Sequence, residues 1–232
     1  MPIDTEGRID RLLQRLYSRE LSTDTTTLYS EGVKTKLKQA KFSLETLRQL
    51  VPQEAQAQDT TAGPSSQSLL NASELVGFYC DSFWDSLRSA LDILGQLVNE
   101  IRSIGISERK VNIKKVASKV KSTAPGSPLD KALDELLNSS AFIQLEDYRH
   151  CSMHRRPPFI ETRTVIISVS GTAGYSYSAS SQQIAVVERY LCTNPWDLTP
   201  RIYTSQRPVV AYNEKLLRRI RGKIDTIVTH LP

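Results

Sequence analysis

Between Ala72 and Ile104 the chain carries an apolar stripe that recurs every three or four residues: Phe83, Leu87, Ala90, Leu91, Leu94, Leu97, Val98 and Ile101. That period belongs to one face of an α-helix, and a face this long must be buried against other helices. Asn71 or Ser73 is placed to cap the helix, Glu74 lies in its first turn, and Gly105 ends it. At about 1.5 Å per residue the segment spans about 45 Å, enough for the central element of a bundle.

Its neighbours read as helices too. A short arginine-rich helix over Ile9 to Tyr17 is interrupted by Ser22 to Thr27, whose capping and β-branched residues favour a turn. A longer helix runs over Leu28 to Val51, with Leu37, Phe42, Leu44, Leu47 and Leu50 as its apolar positions and Pro52 as its stop. Residues 53–67 are polar, include Gly63-Pro64, and read as an exposed linker. After the central helix come an amphipathic helix over Asn112 to Lys121, a helix starting at Ser127-Pro128, and a helix over Ala141 to Arg155 that meets Pro157-Pro158.

The pattern then changes. Arg163 to Ser170 and Gln183 to Leu191 are rich in Val, Ile and Tyr and read as a β-hairpin with a long loop. Pro208 precedes a last helix over Val209 to His230. The fold class expected is therefore mainly α: an antiparallel helical bundle over residues 1–158, with a small β-hairpin plus helix as a C-terminal extension over 159–232.

Composition narrows the function classes. The 232 residues suffice for a core without disulfides or metal, and three scattered cysteines (Cys80, Cys151, Cys192) form no disulfide framework. No apolar run is long enough to cross a membrane, and the opening residues lack a signal peptide's apolar core, so a reducing cytoplasm is the expected compartment. The net charge of +5 is concentrated. Arg109 to Lys121 holds six basic residues, among them Lys114, Lys115 and Lys119, and Arg149 to Arg156 holds three arginines and no acid. Clusters of this kind attract phosphate polyanions, although each alone also suits a solvated helix face.

The segment with the most chemistry is Asp147-Tyr148-Arg149-His150-Cys151-Ser152-Met153-His154-Arg155-Arg156. Metal-free RNA cleavage needs a group that moves a proton near neutral pH, which histidine supplies. It also needs a cation for the charge that builds on the phosphate, which arginine meets with a two-pronged fork. Arg149 and His154 are five residues apart, about 140° around an ideal helix, whereas His150 and His154 share a face. That second pair has the spacing of helical metal ligands. However, Cys151 stands where a zinc protease needs glutamate, and the only other histidine is His230. No nucleophile elbow appears, and Gly171-Thr172-Ala173-Gly174 lacks the lysine of a phosphate-binding loop.

Arg149-His150 followed by three residues and His154 resembles the Arg-x4-6-His motif of HEPN domains, in which a polar residue commonly follows the arginine. The central helix, with Asp81-Ser82-Phe83-Trp84-Asp85 and Ala90-Leu91-Asp92-Ile93-Leu94, resembles the long second helix of that bundle. The resemblance covers residues 28 to 158. It implies a homodimer in which two copies of the motif line one cleft, a metal-independent endoribonuclease with no cofactor, RNA as the partner, and an antitoxin or other regulatory protein in the toxin and defence branches. Carried over, Arg149 holds the scissile phosphate, His154 is the acid/base or transition-state donor, and His150 supports it. Arg155, Arg156, Lys114, Lys115 and Lys119 would bind the nucleic acid. Arg156 stands where one toxin branch has a tyrosine that its antitoxin modifies, so that control is not implied. Members that lack activity serve as RNA-binding or dimeric scaffold modules, which is the alternative reading. Asp81 or Asp92 is a candidate to orient the motif.

Overall fold

A computed structural model describes the backbone of residues 4–19, 23–58, 66–154, 159–169, 182–192 and 209–232, and the side chains of 4–19, 23–50, 75–148 and 209–232. The protein is mainly helical. Seven α-helices are described: α1 (Thr5–Ser18), α2 (Asp24–Gln58), α3 (Ser66–Ile101), α4 (Ile113–Thr123), α5 (Pro128–Leu137), α6 (Ser140–His154) and α7 (Val209–Thr229). Two strands, β1 (Phe159–Val169) and β2 (Gln182–Cys192), pair antiparallel with Phe159 opposite Cys192 and Val169 opposite Gln182. Among the described residues no helix is long and apolar enough to cross a membrane.

The core is built on the α2–α3 pair. Val33, Leu37, Ala40, Leu44 and Leu47 are buried on α2, and Val76, Cys80, Phe83, Leu87, Ala90, Leu94 and Leu97 on α3. Both sets alternate steps of four and three, the spacing of a coiled-coil seam. The pair is antiparallel: Gly32 lies against Ile93, and the Ser43 hydroxyl donates to the Ser82 hydroxyl over 3.1 Å. The seam also corrects the expected α2 face. Phe42 falls between Ala40 and Leu44, off the repeat, and is 65% exposed.

Local chemistry sets most helix ends. Asp4, Asn112 and Ser127 accept from the backbone N–H three residues on, and Pro128 occupies the first turn of α5. The end of α3 is earlier than expected. Ser103, at φ 49°, is the left-handed residue of a Schellman turn: Ile104 N donates to the Asn99 carbonyl (2.9 Å) and Ser103 N to that of Glu100 (3.0 Å). The Asn99 amide then exchanges two 3.0 Å hydrogen bonds with the Ile106 backbone, fixing the exit.

Two expected boundaries are corrected. α2 continues through Pro52 to Gln58, and α3 begins at Ser66, so most of the expected 53–67 linker is helical. Proline costs one N–H and a clash in a helix interior, but its φ is helical, and Gln53-Glu54-Ala55-Gln56-Ala57-Gln58 are strong helix formers that carry the helix on. The second correction concerns α7, expected as part of an extension. It belongs to the bundle, where Tyr212, Leu216, Ile220, Ile224, Ile227 and Val228 join the same apolar cluster as Ile9, Leu12 and Leu16 of α1. Ion pairs join it to α1 (Arg221–Glu6, Arg8–Asp225), to α2 (Arg48–Glu214) and to α5 (Lys223–Glu135). Pro208, Arg155 and Arg156 lie outside the described residues.

The crossing of α3 and α4 depends on Gly95. A β-carbon there would sit 3.0 Å from Ile113 N and 3.2 Å from the Asn112 carbonyl carbon, both backbone atoms held by the α4 cap. Gly95→Ala therefore overpacks the crossing, at about 1–3 kcal/mol, against a helix-propensity gain of at most about 1 kcal/mol. A net loss is expected, with the melting temperature falling by about 2–4 °C for each kcal/mol. An unchanged or raised melting temperature would refute the close approach.

Candidate nucleic-acid site at the end of α6

α6 begins where Ser139 turns back to accept from Phe142 N at 3.2 Å. Ala141, Phe142, Leu145 and Tyr148 are its buried face. Polar contacts then hold the helix along the two turns before Arg149.

Glu146 is the first anchor. Arg88 of α3, only 7% exposed, brings its Nε to 2.6 Å from Glu146 Oε1, a close ion pair rather than an aligned hydrogen bond. Its Nη1 bonds Asp92 at 2.6 Å. Lys114 of α4 pairs with the other Glu146 oxygen. The Arg88 guanidinium and the Lys114 ammonium each lie 5.6 Å from the centre of the Phe142 ring, within cation–π range. Burial pushes the Glu146 carboxyl up, but the Lys114 hydrogen bond and the Arg88 charge outweigh it and hold the group below the usual carboxylate range.

Tyr148 is the second anchor. Its hydroxyl donates to Asp81 of α3, and its ring stacks on Trp84 with centroids 4.4 Å apart and planes 9° from parallel. Tyr212 of α7 stacks beside Trp84 at 5.9 Å. Burial first, and then the Asp81 charge, push the Tyr148 phenol far above its ordinary range, so it stays a neutral donor. Cys80, one residue before Asp81, is buried, and its thiol is pushed up to about 12 by burial, which removes it as a nucleophile near neutral pH.

Arg149, His150 and His154 occupy the last turns of α6, which remains helical through His154. Their side chains, like Arg155 and Arg156 altogether, lie outside the described residues. The backbone fixes their positions around the axis. Counted at about 100° per residue from Tyr148, position 149 falls near 100°, position 150 near 200° and position 154 near 240°. Position 149 falls between those of buried Leu145 (near 60°) and buried Phe142 (near 120°), whereas positions 150 and 154 lie together on the opposite side of the axis. Lys114, Lys115 and Lys119 lie on the exposed face of α4, opposite buried Ile113, Val116, Ala117 and Val120. Lys114 spends its charge on Glu146, so Lys115 and Lys119 present theirs more freely.

Asp81 and Asp92, the two candidates for orienting the motif, serve α6 at one remove: Asp81 binds Tyr148 and Asp92 binds Arg88. The sequence pattern alone did not single out Arg88, Glu146 and Trp84. A signal was present, since Trp84, Arg88 and Asp92 repeat at four-residue steps, which puts an arginine and its acid on a face that also carries an indole.

No curated protein and no solved structure matches the chain. The model of one sequence family, described as Cthe2314-like HEPN, matches residues 12–190, well over half of the 232 residues and including the whole of α6. With the long α2–α3 pair, the motif on α6 and this match together, the chain belongs to the Cthe2314-like HEPN family.

Proposed function

We propose that this chain is a metal-independent endoribonuclease of the HEPN type, acting as a homodimer in which two α6 ends meet over one RNA strand. The observation that carries the reading is the anchoring of α6. Glu146 and Tyr148, immediately before Arg149, are held by Arg88, Lys114, Asp81 and Trp84. A helix held from several sides presents the residues of its last turns at a fixed place, and fixed placement is what cleavage of a phosphodiester by side chains alone requires.

The reaction balances without a metal. The ribose 2′-oxygen loses its proton to a base and bonds to the adjacent phosphorus. The bond from phosphorus to the 5′-oxygen breaks, and that oxygen takes a proton, leaving a 2′,3′-cyclic phosphate and a 5′-hydroxyl. Arg149 would hold the phosphate and neutralise its developing charge, His154 would move the proton, and His150 would support it. Lys115, Lys119, Arg155 and Arg156 would hold flanking phosphates, and the activity would suit a toxin or defence role kept in check by a partner protein.

The direct test is incubation of the purified protein with total RNA in excess EDTA. Cleavage that persists, with cyclic phosphate ends, is the expected result. Activity abolished by EDTA would overturn the metal-free mechanism. Absence of cleavage under every condition would leave an RNA-binding or scaffold module, in which neutralising Lys114, Lys115 and Lys119 costs more RNA affinity than His154→Ala does.

A further inference from the structure

Where α2 crosses α3, a cluster of side chains takes no part in the proposed cleavage, and only Tyr79 among its rings packs against the core. Phe42 and Phe78 are 65% and 64% exposed on adjacent helices. Tyr79 meets both edge-on, with ring centroids 6.5 Å from Phe42 at 66° and 5.4 Å from Phe78 at 80°. Large apolar rings open to water at one place mark a surface that binds something.

The surroundings indicate what. The rings border a groove of about 620 Å³ whose other lining residues are Thr35, Lys38, Gln39, Ser43 and Ser82. Lys41, the residue before Phe42, lines the cleft on the adjoining side with Arg218, where the two acids, Glu45 and Glu214, are both paired with Arg48. On the same helix Lys34 and Arg48 are paired with acids, whereas among the described residues no acid pairs with Lys38 or Lys41. Exposed π-faces, unspent cations and short hydroxyl and amide groups are what a single nucleic-acid strand uses: rings for bases, ammonium groups for phosphates. A second copy of this chain fits less well. A two-fold contact on the groove would bring its uncompensated lysines toward their own copies, and protein interface centres are depleted in lysine.

The groove is also placed for a strand bound at α6. Ser82 lines it, the neighbouring Asp81 receives the Tyr148 hydroxyl, and Tyr148 immediately precedes Arg149. One residue step along α3 thus joins the aromatic groove to the anchor of the motif.

We infer that Phe42, Phe78 and Tyr79, with Lys38 and Lys41, form a base-stacking platform for single-stranded RNA that guides the strand to the end of α6. The strand's destination rests on the nuclease reading. The binding itself does not.

The test uses the full chain carrying His154→Ala, so that RNA is bound and not consumed, and reads the fluorescence anisotropy of labelled ten-nucleotide oligouridine. Phe42→Ala and Phe78→Ala should each weaken binding by about tenfold or more. Phe42→Trp should restore it, which a merely structural role would not allow. Lys38→Glu with Lys41→Glu should flatten the salt dependence by about one unit of slope or more. A duplex of the same length should lose little, because its bases are not free to stack. Unchanged oligouridine affinity in the Phe42→Ala, Phe78→Ala double variant, with an unchanged melting temperature, would overturn the platform. So would conversion of that variant from dimer to monomer in sedimentation with its RNA affinity intact, which would make the patch a protein interface. Failure of the nuclease reading looks different: the otherwise unaltered chain would cleave nothing, yet the phenylalanine variants would still bind more weakly.

Discussion

His154→Ala is expected to lower RNA cleavage by roughly 10²- to 10⁴-fold, the usual contribution of a placed proton-transfer group, with the melting temperature and sedimentation behaviour unchanged. Arg149→Ala should cost about 10²- to 10³-fold, as loss of a charge-stabilising donor does. The two losses should combine to less than their product, because groups that act on one transition state fail together. Position 154 lies on the side of α6 opposite buried Leu145 and Phe142, whereas position 149 lies in line with them. Stability should therefore not follow activity down in His154→Ala, and for Arg149→Ala the test is whether activity falls further than stability. Initial rates on a labelled RNA, alongside thermal melts and sedimentation, give the comparison. If both variants cleave at the unaltered rate, the motif is not catalytic and the cleavage belongs to another site. A parallel fall in melting temperature and rate would instead assign the residues to folding.

The central helix was legible in the sequence because its apolar residues repeat at the helical period without interruption, and Phe83 to Val98 are buried as that stripe requires. The caps at Asn112 and Ser127 were legible for the same local reason: one side chain serves one backbone donor three residues away. The misreadings come from chemistry that spacing alone does not weigh. Pro52 reads as a stop, yet one lost hydrogen bond did not end a helix continued by six strong helix formers. Phe42 reads as core because it is apolar, but the coiled-coil seam runs through Ala40 and Leu44 and leaves it outside. α7 reads as an appendage because more than 50 residues of different character separate it from α6, and sequence distance says nothing about which apolar faces meet. At the site the motif itself was legible as a short pattern. What anchors it was not, since Arg88 and Lys114 each look like ordinary surface cations until α6 brings Glu146 between them.

That anchor carries the second large effect. Arg88→Met keeps an unbranched apolar side chain but removes the guanidinium from Asp92, Glu146 and the Phe142 ring. Removing one partner of a buried ion pair costs about 3–5 kcal/mol, because the remaining charge stays buried and unpaired. Here Asp92 and Glu146 are 33% and 22% exposed, and Lys114 still neutralises one of them, so a value at or just below the bottom of that range, about 2–3 kcal/mol, is expected. Cleavage should fall further than the folded fraction does, since a helix end displaced by about 1 Å can cost 10²-fold in rate. Glu146→Gln provides the pH test. The Glu146 carboxyl is held below the ordinary range by Lys114 and Arg88 against the opposing effect of burial. Its stabilisation is therefore present in full above the unfolded value, about 4.3 for glutamate, and is lost as pH falls through the lower folded value. Urea melts of the unaltered chain and of Glu146→Gln should differ at pH 7 and converge below about pH 4. A gap that persists undiminished in acid would show that the carboxylate charge is not what holds α6. Arg88→Met with unaltered stability and full cleavage would show that the motif keeps its place without the ion-pair anchor.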